Sequence, residues 1–453
     1  MTMTLTEKKE FDKELIKLAV PLALQGLLSA LVGASDALML GRLTQEAIAA
    51  VSLANQISFV MFLFSGAVVG SASVLVAQYW GKQDYKNAKR FAAMAVRYAV
   101  GVALVFFILA FCFPKTLMRL FTPEEALIRI GAEYLRVVSF SYLFSSIASV
   151  YYMMMRASGN PAMTVKISAV IVVVDMVADL FLIYGIGPFP ALGAVGSAYS
   201  TIVVQLVAVV WCILWARKRE EVRIDLPSLK YFSKAYEKDI WKIIPGMLGS
   251  ALAWGLSITA HSFIIGHMGT DATAAYSVTA VAQELVQCVS QGLGSASAIM
   301  IGHLLGANLL DKAKRYERRF WKICYINGAI NLALMAVVGV LVYFFYVLEP
   351  QAKYYLVRML LFMAAYMFAY CFNTIYTCGV FPAGGDSRYD AISVFFATWC
   401  FAIPLALLGC FVFHWPVMVV FIVMCMDEIV KVPFLPWRIR KYIWLQNLTR
   451  DEE

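Results

Sequence analysis

Charge is scarce in this chain. Asp, Glu, Lys and Arg make up 15% of its 453 residues, against 61% hydrophobic residues, and the mean hydropathy is +0.74. Soluble globular domains carry about 25% charged residues, so that class is a poor fit. Histidine is scarcer still, with four in all. There is no HExxH, no paired-His metal spacing and no GxSxG, which argues against the common intramembrane and hydrolytic enzymes. A GxxxxGK[ST] loop is also missing, which argues against direct ATP drive. The nine cysteines stand singly in apolar stretches, as at Cys112, Cys288 and Cys400, with no CxxC. Such cysteines behave as buried apolar residues, and no cofactor is expected. The N-terminal "MTMTLTEKKEFDKELIK" lacks the short apolar core and small-residue cleavage site of a signal peptide.

Long apolar runs are abundant. Crossing a hydrocarbon core takes about 20 apolar residues per helix. Twelve stretches qualify: 15–40, 47–79, 91–113, 131–157, 164–186, 192–216, 241–266, 273–305, 320–347, 354–380, 389–413 and 416–437. Runs of this length predict helices rather than a barrel of short alternating strands. The expected fold is an all-α polytopic membrane protein with twelve transmembrane helices.

The net charge of +9 follows from orientation rather than from nucleic-acid binding. Lys and Arg gather on the cytoplasmic side of membrane proteins. With the N-terminus inside, segments such as "GKQDYKNAKR" and "DKAKRYERRFWK" put 31 of the 38 basic residues there. Twelve spans return the C-terminus to the cytoplasm. The expected location is a bacterial cell membrane, with the lipid bilayer as surroundings, no nucleic-acid partner and a monomeric state.

The chain also repeats itself. At a shift of about 225 residues, "LGRLTQEAIAAVS" lies over "IGHMGTDATAAYS", "GSAS" at 70–73 over 294–297, "AKR" at 88–90 over 313–315, and "ASGN" at 157–160 over "AGGD" at 383–386. Six spans per half make both halves enter from the same side. This predicts a pseudo-twofold axis along the membrane normal relating two six-helix bundles, 1–216 and 241–453, joined by a charged linker at 217–240.

Acidic residues inside spans are then conspicuous. Each costs about 2.5–3.5 kcal/mol at a span centre on insertion scales, and such residues usually mark an ion or proton path. Asp175 and Asp179 share one helix face at i, i+4. Counting 1.5 Å per residue from the outer ends, Asp36 lies about 8 Å deep in span one, and Asp179 and Asp175 about 9 and 15 Å deep in span five. Thr201 lies about 12 Å into span six. All four can meet at one level if spans one and five touch. Three such carboxylates cannot all ionise cheaply, so a proton or a small monovalent cation is expected among them. The alternative is that each hydrogen-bonds to nearby backbone or hydroxyls and merely locks helices.

In the second half, His261 stands where the repeat places Asp36, and Glu284 is a further acid in a span. These two, with Tyr142 and Trp254, are candidates for lining a substrate cavity, where aromatic faces suit organic cations; packing is the plainer role for any one of them. Glu428 is expected to pair with Lys431 at i, i+3. Pro21 and Pro245 fall inside spans one and seven and should bend them, either as static kinks or as hinges.

"LVGASDALMLGRL", "RASGN" and "LFLIYGIGPFPALGAVGSAYST" together resemble the MATE family, the multidrug and toxic compound extrusion transporters, over nearly the whole chain. The resemblance implies two six-helix lobes and antiport of organic cations or amphipathic drugs against Na⁺ or H⁺. It assigns cation coupling to Asp36, Asp179 and Thr201. Asp175 departs from the pattern, since that position is commonly Asn, and this leaves the coupling ion open. The nearest rival is a flippase for a lipid-linked sugar or other polar lipid of the same superfamily. That reading wants a basic cavity, and few basic residues lie within spans. A transporter of one defined metabolite and a receptor or scaffold are further alternatives.

Overall fold

The computed structural model describes residues 3–186, 190–345 and 348–450. The tail end of the ninth predicted span, 346–347, lies outside them. The long helices are α1 (Leu5–Gly41), α2 (Gln45–Gly81), α3 (Tyr85–Cys112), α4 (Glu125–Ala157), α5 (Pro161–Tyr184), α6 (Ala194–Arg217), α7 (Lys234–Gly266), α8 (Thr270–Gly306), α9 (Leu310–Phe345), α10 (Pro350–Ala383), α11 (Ser387–Phe411) and α12 (Val417–Lys431). The first eleven are long and apolar enough to cross a membrane. The twelfth stops short because Pro433 and Pro436 cannot continue the backbone ladder. Helical structure goes on as a 3₁₀ turn, Val432–Phe434, and a short helix, Leu435–Arg440.

Local chemistry sets several boundaries. Asp84 caps α3, its side chain accepting from the Asn87 N–H at 3.1 Å, which satisfies one of the orphan donors at the helix start. Proline opens α5 and α10, where the missing N–H costs nothing. Both α10 and α11 contain wide π-helical turns, Tyr376–Val380 just before Pro382 and Phe395–Ala402 just before Pro404. A one-residue bulge lets each proline sit in a continuous helix.

The described residues fall into two compact units. The first comprises Leu24–Val76 and Asp84–Lys238. Its core holds Met61, Leu135, Tyr142 and Ile183. The second contains the chain up to Ala23, then Ala77–Gln83 and everything described from Asp239 onward. One of its cores joins Phe11 of α1 with Tyr316 and Phe320 of α9, Phe381 of α10 and Trp444 near the C-terminus. α1 is therefore shared: its first turns belong to the second unit and the remainder to the first. Pro21 lies within α1 and Pro245 within α7, both as the sequence predicts.

Candidate cation site

The site begins with glycines. Gly185 ends α5 at φ +70°, a conformation that Gly adopts at little cost. A Cβ there would stand 2.5 Å from the backbone nitrogen of Ala191. The chain turns back, and the N–H groups of Leu192 and Gly193 donate to the carbonyls of Leu182 and Ile183 at 3.0 and 3.2 Å. The intervening Gly187–Phe189 of the family-like motif lie outside the described residues. Gly196 then seats α6 directly on α5, since a Cβ would come within 2.4 Å of the Leu182 carbonyl oxygen. Four residues on, along the same helix face, Ser200 reaches Asp175.

Two ties hold α1 along α5. The Thr164 hydroxyl donates to Gln25 Oε1 at 3.0 Å, and the Tyr184 hydroxyl donates to the Met39 carbonyl at 2.7 Å. They lie at opposite ends of α5. Between them Asp36 meets Asp175 and Asp179, with one carboxylate oxygen from each inside a group no more than 4.8 Å across. The contact between spans one and five that the depth count required is present.

Donors are short in this group. Ser200 Oγ donates toward Asp175 Oδ1 at 3.2 Å, with the Asp175 carbonyl at 3.3 Å. Asp175 Oδ2, Asp36 Oδ1 and both Asp179 oxygens are buried without a hydrogen-bond partner. Asp179 is 0% exposed. The Tyr134 hydroxyl donates to Asn55 Oδ1 at 3.2 Å. Unit charges about 4 Å apart repel by roughly 4 kcal/mol at an effective dielectric of 20. Three ionised carboxylates sharing the Ser200 hydroxyl as donor would be unstable there. The arrangement suits shared protons or one small cation held by hard oxygens.

The other predicted residues lie elsewhere. Thr201 points aside, its hydroxyl donating to the Ser197 carbonyl at 3.0 Å within its own helix; the hydroxyl beside the acids is that of Ser200. Tyr142, expected to line a cavity, is 1% exposed and packs in the first unit's core, hydrogen-bonded to Ser58 at 2.8 Å. Its ring fills space between α2 and α4, and its hydroxyl is already used. Trp254 is 42% exposed on α7. His261, also on α7, has a buried Nε2 without a partner, and Glu284 is exposed on α8. None of these four belongs to the three-acid group.

Glu428 and Lys431 do pair, at 2.5 Å, and both are buried. Asn373 donates to Glu428 Oε2 at 2.6 Å, and Asp427 accepts from the Glu428 N–H at 2.7 Å. Its charges are matched by a lysine and an amide donor, unlike the group on α1 and α5, although Asn373 Oδ1 is itself buried without a partner. Sequence reasoning missed Ser200. Ser200 stands one residue from the candidate chosen, in "GSAYST", and only the rotation of α6 separates them.

The chain is similar to known transporters throughout. The MatE family model matches residues 21–181 and 245–408, two segments separated by the same shift that aligns the halves. The "Probable multidrug resistance protein YoeA" of Bacillus subtilis is 24% identical over 392 residues, covering 85% of this chain and 84% of that one. The "Uncharacterized transporter YisQ" of the same organism is 22% identical, with 97% of each chain covered. A crystal structure of a MATE protein in a straight conformation superposes with a TM-score of 0.86, at 19% identity and 96% coverage of both chains.

Proposed function

The chain belongs to the MatE family of multi-pass membrane transporters, and from that premise we propose that it is a cation-coupled antiporter exporting amphipathic, cationic organic compounds by alternating access. The observation that carries this reading is the group of three carboxylates on α1 and α5, four of whose buried oxygens lack a hydrogen-bond partner. Buried acids lacking donors want positive charge, and H⁺ and Na⁺ both meet that need. In the proposed cycle Asp36, Asp175 and Asp179 are loaded from outside. Loading removes their mutual repulsion and lets α1 settle against α5, which releases substrate outward. An inward-moving cation gains about 2.3 kcal/mol per charge per 100 mV of membrane potential. Substrate then enters from the cytoplasm or inner leaflet of the cell membrane once the acids have discharged inward. Both termini lie on the cytoplasmic side, and the protein works as a monomer.

Ethidium efflux from proteoliposomes tests this, with a pH gradient or a Na⁺ gradient imposed one at a time. Efflux driven by one gradient and dissipated by the matching ionophore is expected. Efflux indifferent to both gradients would remove cation coupling.

A further inference from the structure

Each sequence half begins with a segment that docks on the third helix of the other half. The start of the first half, in α1, lies on α9 within the second unit. Phe11 is fully buried there, edge-on to Tyr316 with ring centroids 4.9 Å apart. Asp12 accepts two hydrogen bonds from Arg319, at 3.0 and 3.1 Å, and Glu7 accepts from Arg315 at 2.7 Å. The start of the second half lies on α3 within the first unit. Tyr236 stacks on Phe91 with centroids 5.0 Å apart. Glu237 pairs with Arg97 at 3.5 Å, and Arg90 lies over the Tyr231 ring at 3.9 Å.

The two docks are related by the internal repeat. Applying the shift of about 225 residues to Phe11 gives Tyr236, and applying it to Phe91 gives Tyr316. The acid following each aromatic, Asp12 or Glu237, meets an arginine of the docked helix. Within each unit the dock lies where its helices begin, at α1 and α9 in one and at α3 and the start of α7 in the other; with the N-terminus inside, these helix starts are cytoplasmic. The ion pairs are partly open to water: Asp12 is 41% exposed and Arg97 30%. Partly exposed ion pairs contribute little each, but Phe11 also meets Phe320 edge-on at 4.9 Å and is buried in one core with Leu15 and Leu18, so leaving α9 takes a driven step.

We propose that these reciprocal docks are the inner gate of the transport cycle: both segments stay seated while the molecule is closed to the cytoplasm and leave α3 and α9 when it opens inward. This rests on the alternating-access reading, but needs neither a particular substrate nor a particular ion. Ala88 and Ala313, repeat mates at the bases of α3 and α9, are fully buried here, and Ala313 shares the core of Phe11. Undocking would expose them.

The test uses the full chain with its exposed cysteines, Cys112, Cys378 and Cys400, changed to Ser. Ala313→Cys or Ala88→Cys then reports access of an impermeant maleimide from the cytoplasmic side. Asp12→Arg should raise labelling of Ala313→Cys about two- to fivefold, the effect of one partly exposed ion pair. Adding Arg319→Asp should return it. Separately, Asp12→Cys with Arg319→Cys, joined by a short thiol cross-linker, should stop transport until reductant is added. Glu237→Cys with Arg97→Cys should do the same. Full transport through both cross-links, or labelling unmoved by charge reversal and its repair, overturns the gate. Labelling that shifts in a protein unable to move ethidium would sink the substrate assignment and leave the gate standing.

Discussion

Gly81 at the end of α2 lies against the backbone of His303 on α8, so close that a Cβ would stand 2.0 Å from the His303 carbonyl oxygen. The repeat returns the relationship: Gly306 lies against Gln78, where a Cβ would stand 1.7 Å from the carbonyl oxygen. The helices cross backbone to backbone, with a glycine from each supplying the room. Gly81→Val and Gly306→Val should each destabilise the protein by about 1–3 kcal/mol, the usual cost of overpacking. Thermal unfolding in detergent, followed by gel filtration of the soluble fraction, should show a lower midpoint for both. Gly266→Val is the control, because nothing lies within 4 Å of its Cβ position.

Asp36→Asn and Asp179→Asn keep the shape of each side chain and remove its charge. Each should reduce gradient-driven efflux by more than about tenfold, because a neutral amide no longer draws in the cation. Both proteins should still insert and elute as the unsubstituted chain does. Efflux measured beside a gel-filtration profile distinguishes lost coupling from lost folding. Full efflux in both variants would remove the acids from the mechanism.

Ser200 and Thr201 separate a contact with the site from a contact with the helix. Ser200→Ala removes the hydroxyl that, among the described residues, donates to Asp175. A hydrogen bond to a charged group contributes about 1.5–3 kcal/mol, so the cation concentration for half-maximal transport should shift by about tenfold or more. Thr201→Ala removes a hydroxyl that serves the Ser197 carbonyl, and should shift it by less than about twofold. Equal effects from the two would place the site differently on α6.

Glu428 and Lys431 form a buried pair in the second unit. Lys431→Met alone leaves a carboxylate without its countercharge and should cost about 3–5 kcal/mol. The double variant Glu428→Gln, Lys431→Met should recover most of that loss, since well-packed neutral residues often match a buried ion pair. Chemical unfolding of the reconstituted protein measures both. Recovery of stability without recovery of transport would point to a role beyond structure.

How much of this was legible beforehand depends on the range of the physics involved. Spans are visible because apolar length is a property of consecutive residues. Asp36, Asp175 and Asp179 stand out because a charge in an apolar run is costly wherever the run packs. Depth along a helix singles out Thr201 but carries no direction: Ser200 beside it differs by about 100°, and the seating of Gly196 on Leu182 is what turns Ser200 toward α5. Tyr142 was misread because an aromatic in a membrane helix looks the same whether it lines a cavity or fills a core. The twelfth span ended early because Pro433 and Pro436 outweighed an apolar run. The seat of Glu7, Phe11 and Asp12 on α9 depends on partners some 300 residues away, beyond any local pattern.

α1 has one further consequence. Its foot is anchored beside Phe11 in one body and its upper limb carries Asp36 in the other. The upper limb from Ala23 to Asp36 measures about 20 Å at 1.5 Å per residue. While its foot is seated, such a rod works as a crank: whatever turns the top loads the bottom with torque. The weakest point along it is the turn around Pro21, which lacks one backbone bond. Fusing that turn, by Pro21→Ala, should stiffen the crank and slow the stroke while leaving the ion's seat unchanged.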